Sequence, residues 1–212
     1  MQITLLNYVR ISKEKGCGSW MKTRFLFLLV LVFTLMLTAC GKKEIENAVD
    51  WPIDDFSATS QKNTSLALKD LKGNVWVSAF IFTSCADVCP PMTSNMVTLQ
   101  KKLKEENLKD VKLVSFSVDP SVDTPEVLTR YANQFGVDFN SWTFLTGYSQ
   151  EFIEEFAREN FKTIVKKPEE GNQVIHQTFL YLVDQEGHIK KTYDGYKNVP
   201  YEEIINDIKT LQ

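Results

Sequence analysis

The sequence predicts an α/β fold of three layers, and two observations carry that expectation. A continuous apolar run from Val75 to Phe82 has the length and composition of a central strand covered on both faces. Beyond it, strand-like and helix-like hydrophobic patterns alternate along the chain, as strand–helix–strand units require. The 212 residues are 43% hydrophobic and include 14 Phe and 4 Trp, enough apolar material for one sizeable core. Lys and Arg total 24 against 27 Asp and Glu, a net charge of -3, and the basic residues are scattered. A nucleic-acid partner therefore has no electrostatic support.

Ahead of the domain, Met21-Lys22-Thr23-Arg24 leads into the apolar run 25–37 and then Leu37-Thr38-Ala39-Cys40-Gly41. A charged n-region, an apolar h-region and a small-residue cleavage site read as a signal peptide over 21–39. The run falls short of the roughly 20 apolar residues of a transmembrane helix, which leaves a short retained anchor as the weaker alternative. Leu-Thr-Ala-Cys resembles the bacterial lipobox. That resemblance implies a lipid on Cys40, a tether over 40–50, and an upstream extension from a misplaced start over Met1–Trp20. The expected location is the extracytoplasmic face of the cell membrane, lipid-anchored. Cys17 then precedes the start and Cys40 carries the lipid, so Cys85 and Cys89 remain as the free thiols. In an oxidising compartment such a pair tends toward a disulfide unless something uses or reduces it.

The domain is expected over 51–212. Residues 56–74 give weakly patterned short strands and a Lys72-Gly73-Asn74 turn before the central strand. Met92, Met96, Leu99 and Leu103 recur at helical spacing after Pro90. A strand follows over 111–119, then a helix carrying Val127, Leu128, Tyr131, Ala132 and Phe135 that Gly136 ends. Trp142 to Leu145 is a short strand, and Phe152, Ile153, Phe156 and Ala157 mark a third helix. Residues 161–176, interrupted by Lys-Lys-Pro-Glu-Glu-Gly-Asn, read as an inserted hairpin. A strand over 178–184, a tight turn at Gly187, a return strand over 188–193 and a helix carrying Ile204, Ile205, Ile208 and Leu211 complete the chain.

With a cysteine pair at the first strand-to-helix junction, this order resembles the thioredoxin fold, in which chemistry collects at the carboxyl ends of the strands. Pro90 disfavours helical geometry at Cys89 and suits the first helical position, so Cys89 is expected as the cap and Cys85 in the loop before it. Helix-terminal N–H groups and the helix dipole stabilise a thiolate there. A thiolate serves both disulfide exchange and soft-metal binding. The three residues Ala86, Asp87 and Val88, one more than thioredoxin-type oxidoreductases use, let both sulfurs turn toward a common point and favour chelation. An inert bridge closing so short a loop would remove little unfolded-chain entropy.

A third ligand has two candidates, His176 and His188. The strand between them separates them by about 20 Å, so both cannot reach one ion, which argues against a Cys2His2 zinc site. If the fold is thioredoxin-like, His176 begins a strand beside the cysteine loop and is the better candidate, whereas His188 reads as an exposed hairpin residue. Two thiolates and one imidazole suit copper as Cu(I) and Cu(II), with a coordination position left for a partner's ligand. Asp119 ends its strand and is a candidate weak axial ligand or a support to the ligands. Asp123-Thr124-Pro125-Glu126 reads as a helix capping pattern.

The stretches FTSCADVCPPMTSNM (82–96), FSVDPSVDTPEVL (116–128) and VIHQTFLYLVDQEG (174–187) together resemble the signatures of the Sco/SenC family, and the resemblance covers about residues 50–212. It implies Cys85, Cys89 and His176 as copper ligands and Asp119 as the family's nearby Asp. It also implies a role in assembling the binuclear copper A centre in subunit II of cytochrome c oxidase. Two functions stand: a membrane-anchored metallochaperone, which is a binding module and not a turnover enzyme, and a thiol-disulfide oxidoreductase that reduces the oxidase subunit's cysteines. Subunit II, the membrane and a copper donor or thiol reductant are the expected partners. Peroxide reduction has no Thr-x-x-Cys motif to support it.

Overall fold

A computed structural model describes Arg24 and residues 44–171 and 173–212. Apart from Arg24, the signal peptide expected over 21–39 lies outside the described residues, as do Cys17 and the expected lipidation residue Cys40, and among those described no helix is long and apolar enough to cross a membrane.

Ten strands and five helices follow in the chain order β1 (Trp51–Pro52), β2 (Ser57–Ser60), β3 (Ser65–Ala67), α1 (Leu68–Leu71), β4 (Trp76–Ile81), α2 (Cys89–Glu105), β5 (Lys112–Ser117), α3 (Pro125–Gln134), β6 (Trp142–Thr146), α4 (Gln150–Phe161), β7 (Val165–Lys166), β8 (Ile175–His176), β9 (Phe179–Val183), β10 (His188–Asp194) and α5 (Tyr201–Leu211), counted among the described residues. Eight strands form one mixed sheet in the order β1-β10-β9-β4-β5-β6-β2-β3. At its centre β4, β5 and β6 run parallel, and β9 lies antiparallel to β4. All six residues of β4 are buried, which matches the uninterrupted apolar run of its sequence.

Strand alternation divides the core. Phe80 and Phe116 face one side, where Phe56, Phe156 and Phe161 close on them at centroid separations from 5.0 to 5.8 Å. That side is covered by α4. The β4–α2–β5 and β5–α3–β6 crossovers place α2 and α3 on the other side. There Thr93 and Tyr131 share a buried hydrogen bond of 2.8 Å between α2 and α3. Helix α5 lies alongside α2 through the ion pairs Lys102–Glu202 and Lys209–Glu106. Three layers and their order are as the sequence predicts. Gly187 closes the β9–β10 turn at a φ of +92°, and its N–H donates to the Asp184 carbonyl oxygen at 3.2 Å.

Three local differences have physical causes. The polar run before residue 51 was expected to be a free tether, yet Ile45 is buried, Val49 N–H donates to the Lys190 carbonyl oxygen at 2.8 Å, and Asp50 pairs with His188 and Lys190. Ile45, the partly buried Val49 and sheet-edge hydrogen bonds dock it without any helical stripe. Residues 68–71 form a helical turn, with the Asp70 carboxylate accepting from the Ala67 N–H at 2.8 Å. The hairpin expected over 161–176 is narrower, because α4 runs on through Phe161 and only two residue pairs, Val165 with His176 and Lys166 with Ile175, form it.

Truncating Phe116 to Ala removes the ring on which four other aromatic rings close. Chemical denaturation of the full-length chain should show a loss of about 3–5 kcal/mol. An unchanged midpoint would place the core elsewhere.

Candidate metal centre

The cysteine loop is shaped by the absence of amides at the start of α2. A helix leaves its first N–H groups without internal partners, and Pro90 and Pro91 carry none. Val88 precedes the helix and supplies no side-chain cap. The Cys89 N–H donates instead to the Cys85 Sγ at 3.3 Å. Cys89 is consequently the first helical residue and not the cap expected from Pro90; the bond to sulfur outweighs the preference for extended geometry before proline.

That geometry separates two chemically identical thiols. The Cys89 side chain donates to the Cys85 sulfur and lowers the Cys85 pKa far below the ordinary thiol value, against the opposing effect of burial. His176 and the backbone N–H groups of Cys89 and Asp87 add to the lowering. Cys89 moves the other way, held up by its bond to Cys85 and by burial. The pair is polarised, with the hydrogen bond favouring the thiolate at Cys85 and the thiol at Cys89. Both cysteines are buried and unbonded to each other in this structure.

His176 reaches the pair from the small sheet formed by β7 and β8. Its Nδ1 lies 2.9 Å from the Gln177 carbonyl oxygen, which can only accept, so Nδ1 bears the proton in that bond. The other ring nitrogen, Nε2, faces the site, 3.2 Å from the Cys89 Sγ. The Cys85 and Cys89 sulfurs and the His176 nitrogen lie within 4.8 Å of one another. Two sulfurs and an imidazole nitrogen converging from two different elements form a donor set for a soft transition ion. His188 lies apart, half-buried beside Asp50, with Nδ1 2.9 Å from that carboxylate.

Asp119 is not in the converging trio. It is buried, and its Oδ1 takes the Lys167 ammonium at 2.6 Å and the Ser121 hydroxyl at 2.9 Å. Asp123 is not the helix cap its sequence context suggested. Thr124 caps α3 by accepting from the Val127 N–H, while Asp123 is fully buried and accepts from Ser117 Oγ, Thr83 Oγ1 and the Thr83 N–H. Burial pushes the Asp123 carboxyl up, and the Ser117 and Thr83 donors pull it back. Thr83 belongs to the cysteine loop, so this carboxyl braces the site. The sequence signal was available: two acids directly after an apolar strand must find donors once buried.

Iodoacetamide should therefore alkylate Cys85 well below the ordinary thiol pKa of about 8.5 and leave Cys89 slow. Cys89→Ala removes the proton donor and should move the ultraviolet thiolate transition of Cys85 upward. Equal alkylation of the two thiols with one ordinary transition would refute the asymmetry.

Comparison with known proteins places this geometry in a family. The SCO1/SenC family model matches residues 49–212. The crystal structure of a SCO1/SenC family lipoprotein from Bacillus anthracis is 50% identical, with a TM-score of 0.76 over 79% of this chain and 98% of that one. BsSco, described as having a disulfide switch and as a member of the Sco family of cytochrome c oxidase assembly proteins, is 48% identical, with a TM-score of 0.74 over 80% and 98%. The copper-bound ScoI of Arabidopsis thaliana is 29% identical, with a TM-score of 0.62 over 74% and 96%. Matched along nearly its whole described length, with the thioredoxin-like fold of these relatives, the chain belongs to the SCO1/SenC family.

Proposed function

We propose that this protein is a copper metallochaperone that holds the ion on Cys85, Cys89 and His176 and passes it to the binuclear copper A centre of cytochrome c oxidase subunit II. The observation that carries the reading is the convergence of two sulfurs and one imidazole nitrogen within 4.8 Å. The copper-bound Arabidopsis relative and the oxidase-assembly role given to BsSco support it. Cys85 is poised as a thiolate, and Cys89 must give up its proton as the ion arrives. The two sulfurs are buried, and three protein donors leave room for an incoming ligand of the acceptor. Copper is cargo here, so the site has to release it.

The same polarised pair supports a second reading, a thiol-disulfide oxidoreductase acting on the cysteines of the oxidase subunit. Cys85 would be the attacking thiolate and Cys89 the resolving thiol, alternating with a Cys85–Cys89 disulfide. The disulfide switch named for BsSco favours weighing it. The anchoring expected from the N-terminus completes the proposal: a signal peptide over 21–39, a lipid on Cys40 and residence on the extracytoplasmic face of the membrane, in line with the lipoprotein nature of the Bacillus anthracis relative.

His176→Ala removes one donor and leaves both thiols. It should cause a large loss of Cu(II) affinity, with weakened thiolate-to-copper charge-transfer absorption, and loss of oxidase maturation. Oxidase assembly that survives in His176→Ala but fails in Cys85→Ser would sink the chaperone reading and leave the oxidoreductase. Separately, Cys40→Ser should release the protein from membranes on fractionation; retention would refute the lipid anchor.

A further inference from the structure

His176 sits on a sheet of only two residue pairs, separate from the main sheet. Isolated hairpins are marginal, so the distance from this imidazole to the sulfurs depends on what ties the hairpin down. Two buried valines, Val165 and Val174, provide an apolar footing. The polar ties are more directional. Glu154 on α4 takes the Lys166 ammonium at 2.8 Å and the Lys167 N–H at 2.9 Å. The Lys167 ammonium crosses to Asp119 at 2.6 Å and Ser121 at 2.9 Å, just beyond the end of β5.

The turn that receives Lys167 is itself rigid. The Asp119 carbonyl oxygen accepts from the N–H groups of Val122 and Asp123, and the Asp119 N–H donates to Ser117 Oγ at 3.1 Å. Four residues on, Asp123 holds Thr83 of the cysteine loop. One short segment, 119–123, is thus bonded at one end to the hairpin that carries His176 and at the other to the loop that carries Cys85.

We propose that the 119–123 turn registers the two halves of the metal site, and that Lys167 is a positioning residue that sets His176 over the cysteines through its ion pair with Asp119. The inference rests on the copper reading of the trio. Lys167 touches neither the ion nor its donors; it acts by holding the hairpin. The pairing is charge-assisted, and Asp119 is buried, so solvent screens it weakly. A neutral residue at 167 leaves the buried carboxylate without its cation and removes the hairpin's tie to the 119–123 turn, while Glu154, the two valines and the Gln173 bond to the Ser84 carbonyl oxygen remain.

The test uses the full-length protein and the variants Lys167→Met, Lys167→Arg, Asp119→Asn and the Lys167→Met/Asp119→Asn pair, beside His176→Ala. In metal-free protein, Lys167→Met should speed amide hydrogen exchange over 164–177 and leave the helix of Met96 and Leu99 unchanged. With Cu(II) added, it should weaken binding about 10-fold and diminish the histidine nitrogen couplings in the electron paramagnetic resonance spectrum. Lys167→Arg, which keeps the charge, should restore most of both. The double variant should weaken binding no more than either single one, since both remove one interaction. If His176→Ala leaves Cu(II) binding untouched, the copper reading itself fails. If His176→Ala weakens binding while Lys167→Met alters neither exchange nor affinity in a folded chain, the registering role is overturned.

Discussion

The Cys89 N–H at the start of α2 needs an acceptor, and the Cys85 sulfur is the one it finds. The two prolines that follow remove competing amides and suit the first turn of the helix that Cys89 opens. The same bond draws Cys85 back against the helix terminus, where the Cys89 thiol can also donate to it. A constraint of backbone hydrogen bonding thereby becomes an electrostatic asymmetry, which lowers the pKa of one sulfur and raises that of its neighbour. Everything the site can do, whether holding a soft ion or exchanging a disulfide, starts from that division.

Holding such a pair in place requires rigidity around it, and the sheet supplies it at the carboxyl ends of β4 and β5. Parallel pairing from Trp76–Lys112 to Ile81–Ser117 brings the two strand ends side by side. Ser117 and Thr83 then reach Asp123, a carboxyl that burial would expel were it not surrounded by donors. The aromatic packing of Phe80, Phe116 and Phe161 supports these ends from beneath. His176 comes from a separate two-stranded piece, so its placement rests on side-chain ties and not on the main ladder. The site therefore joins a rigid half, which carries the sulfurs, to a half held by fewer contacts. That division fits the proposed role of holding and then passing on an ion.

Much of the fold was legible because its signals are local. The apolar run of β4 and the helical spacing of Met92, Met96, Leu99 and Leu103 each state their burial directly, and all of these residues are buried. Signals failed where a residue's fate depends on a distant partner. Asp123 looks like a cap because Glu126 follows at capping distance, yet Thr124 is one residue closer to the helix and takes the task. Ile45 carries no periodic pattern and still docks, since Val49 and the Asp50 ion pairs hold the same segment to β10. Lys167 reads as one of several charges in a hairpin turn. Nothing local marks it as the partner of an acid 48 positions earlier.

Residue types and spacing along the chain carry the family, most of the order of strands and helices, and the identity of the two thiols and one imidazole that meet. These follow from residue type and short-range spacing, which steric and hydrophobic rules translate into local structure. It takes the folded contacts to favour the thiolate at Cys85 over Cys89, to turn Nε2 of His176 toward the sulfurs, and to pair Asp119 with Lys167 instead of with the trio. Each of those outcomes turns on which donor lies within about 3 Å of which acceptor after the strands align. The pairing at the cysteines, which the fold makes unequal, is where the two kinds of information meet.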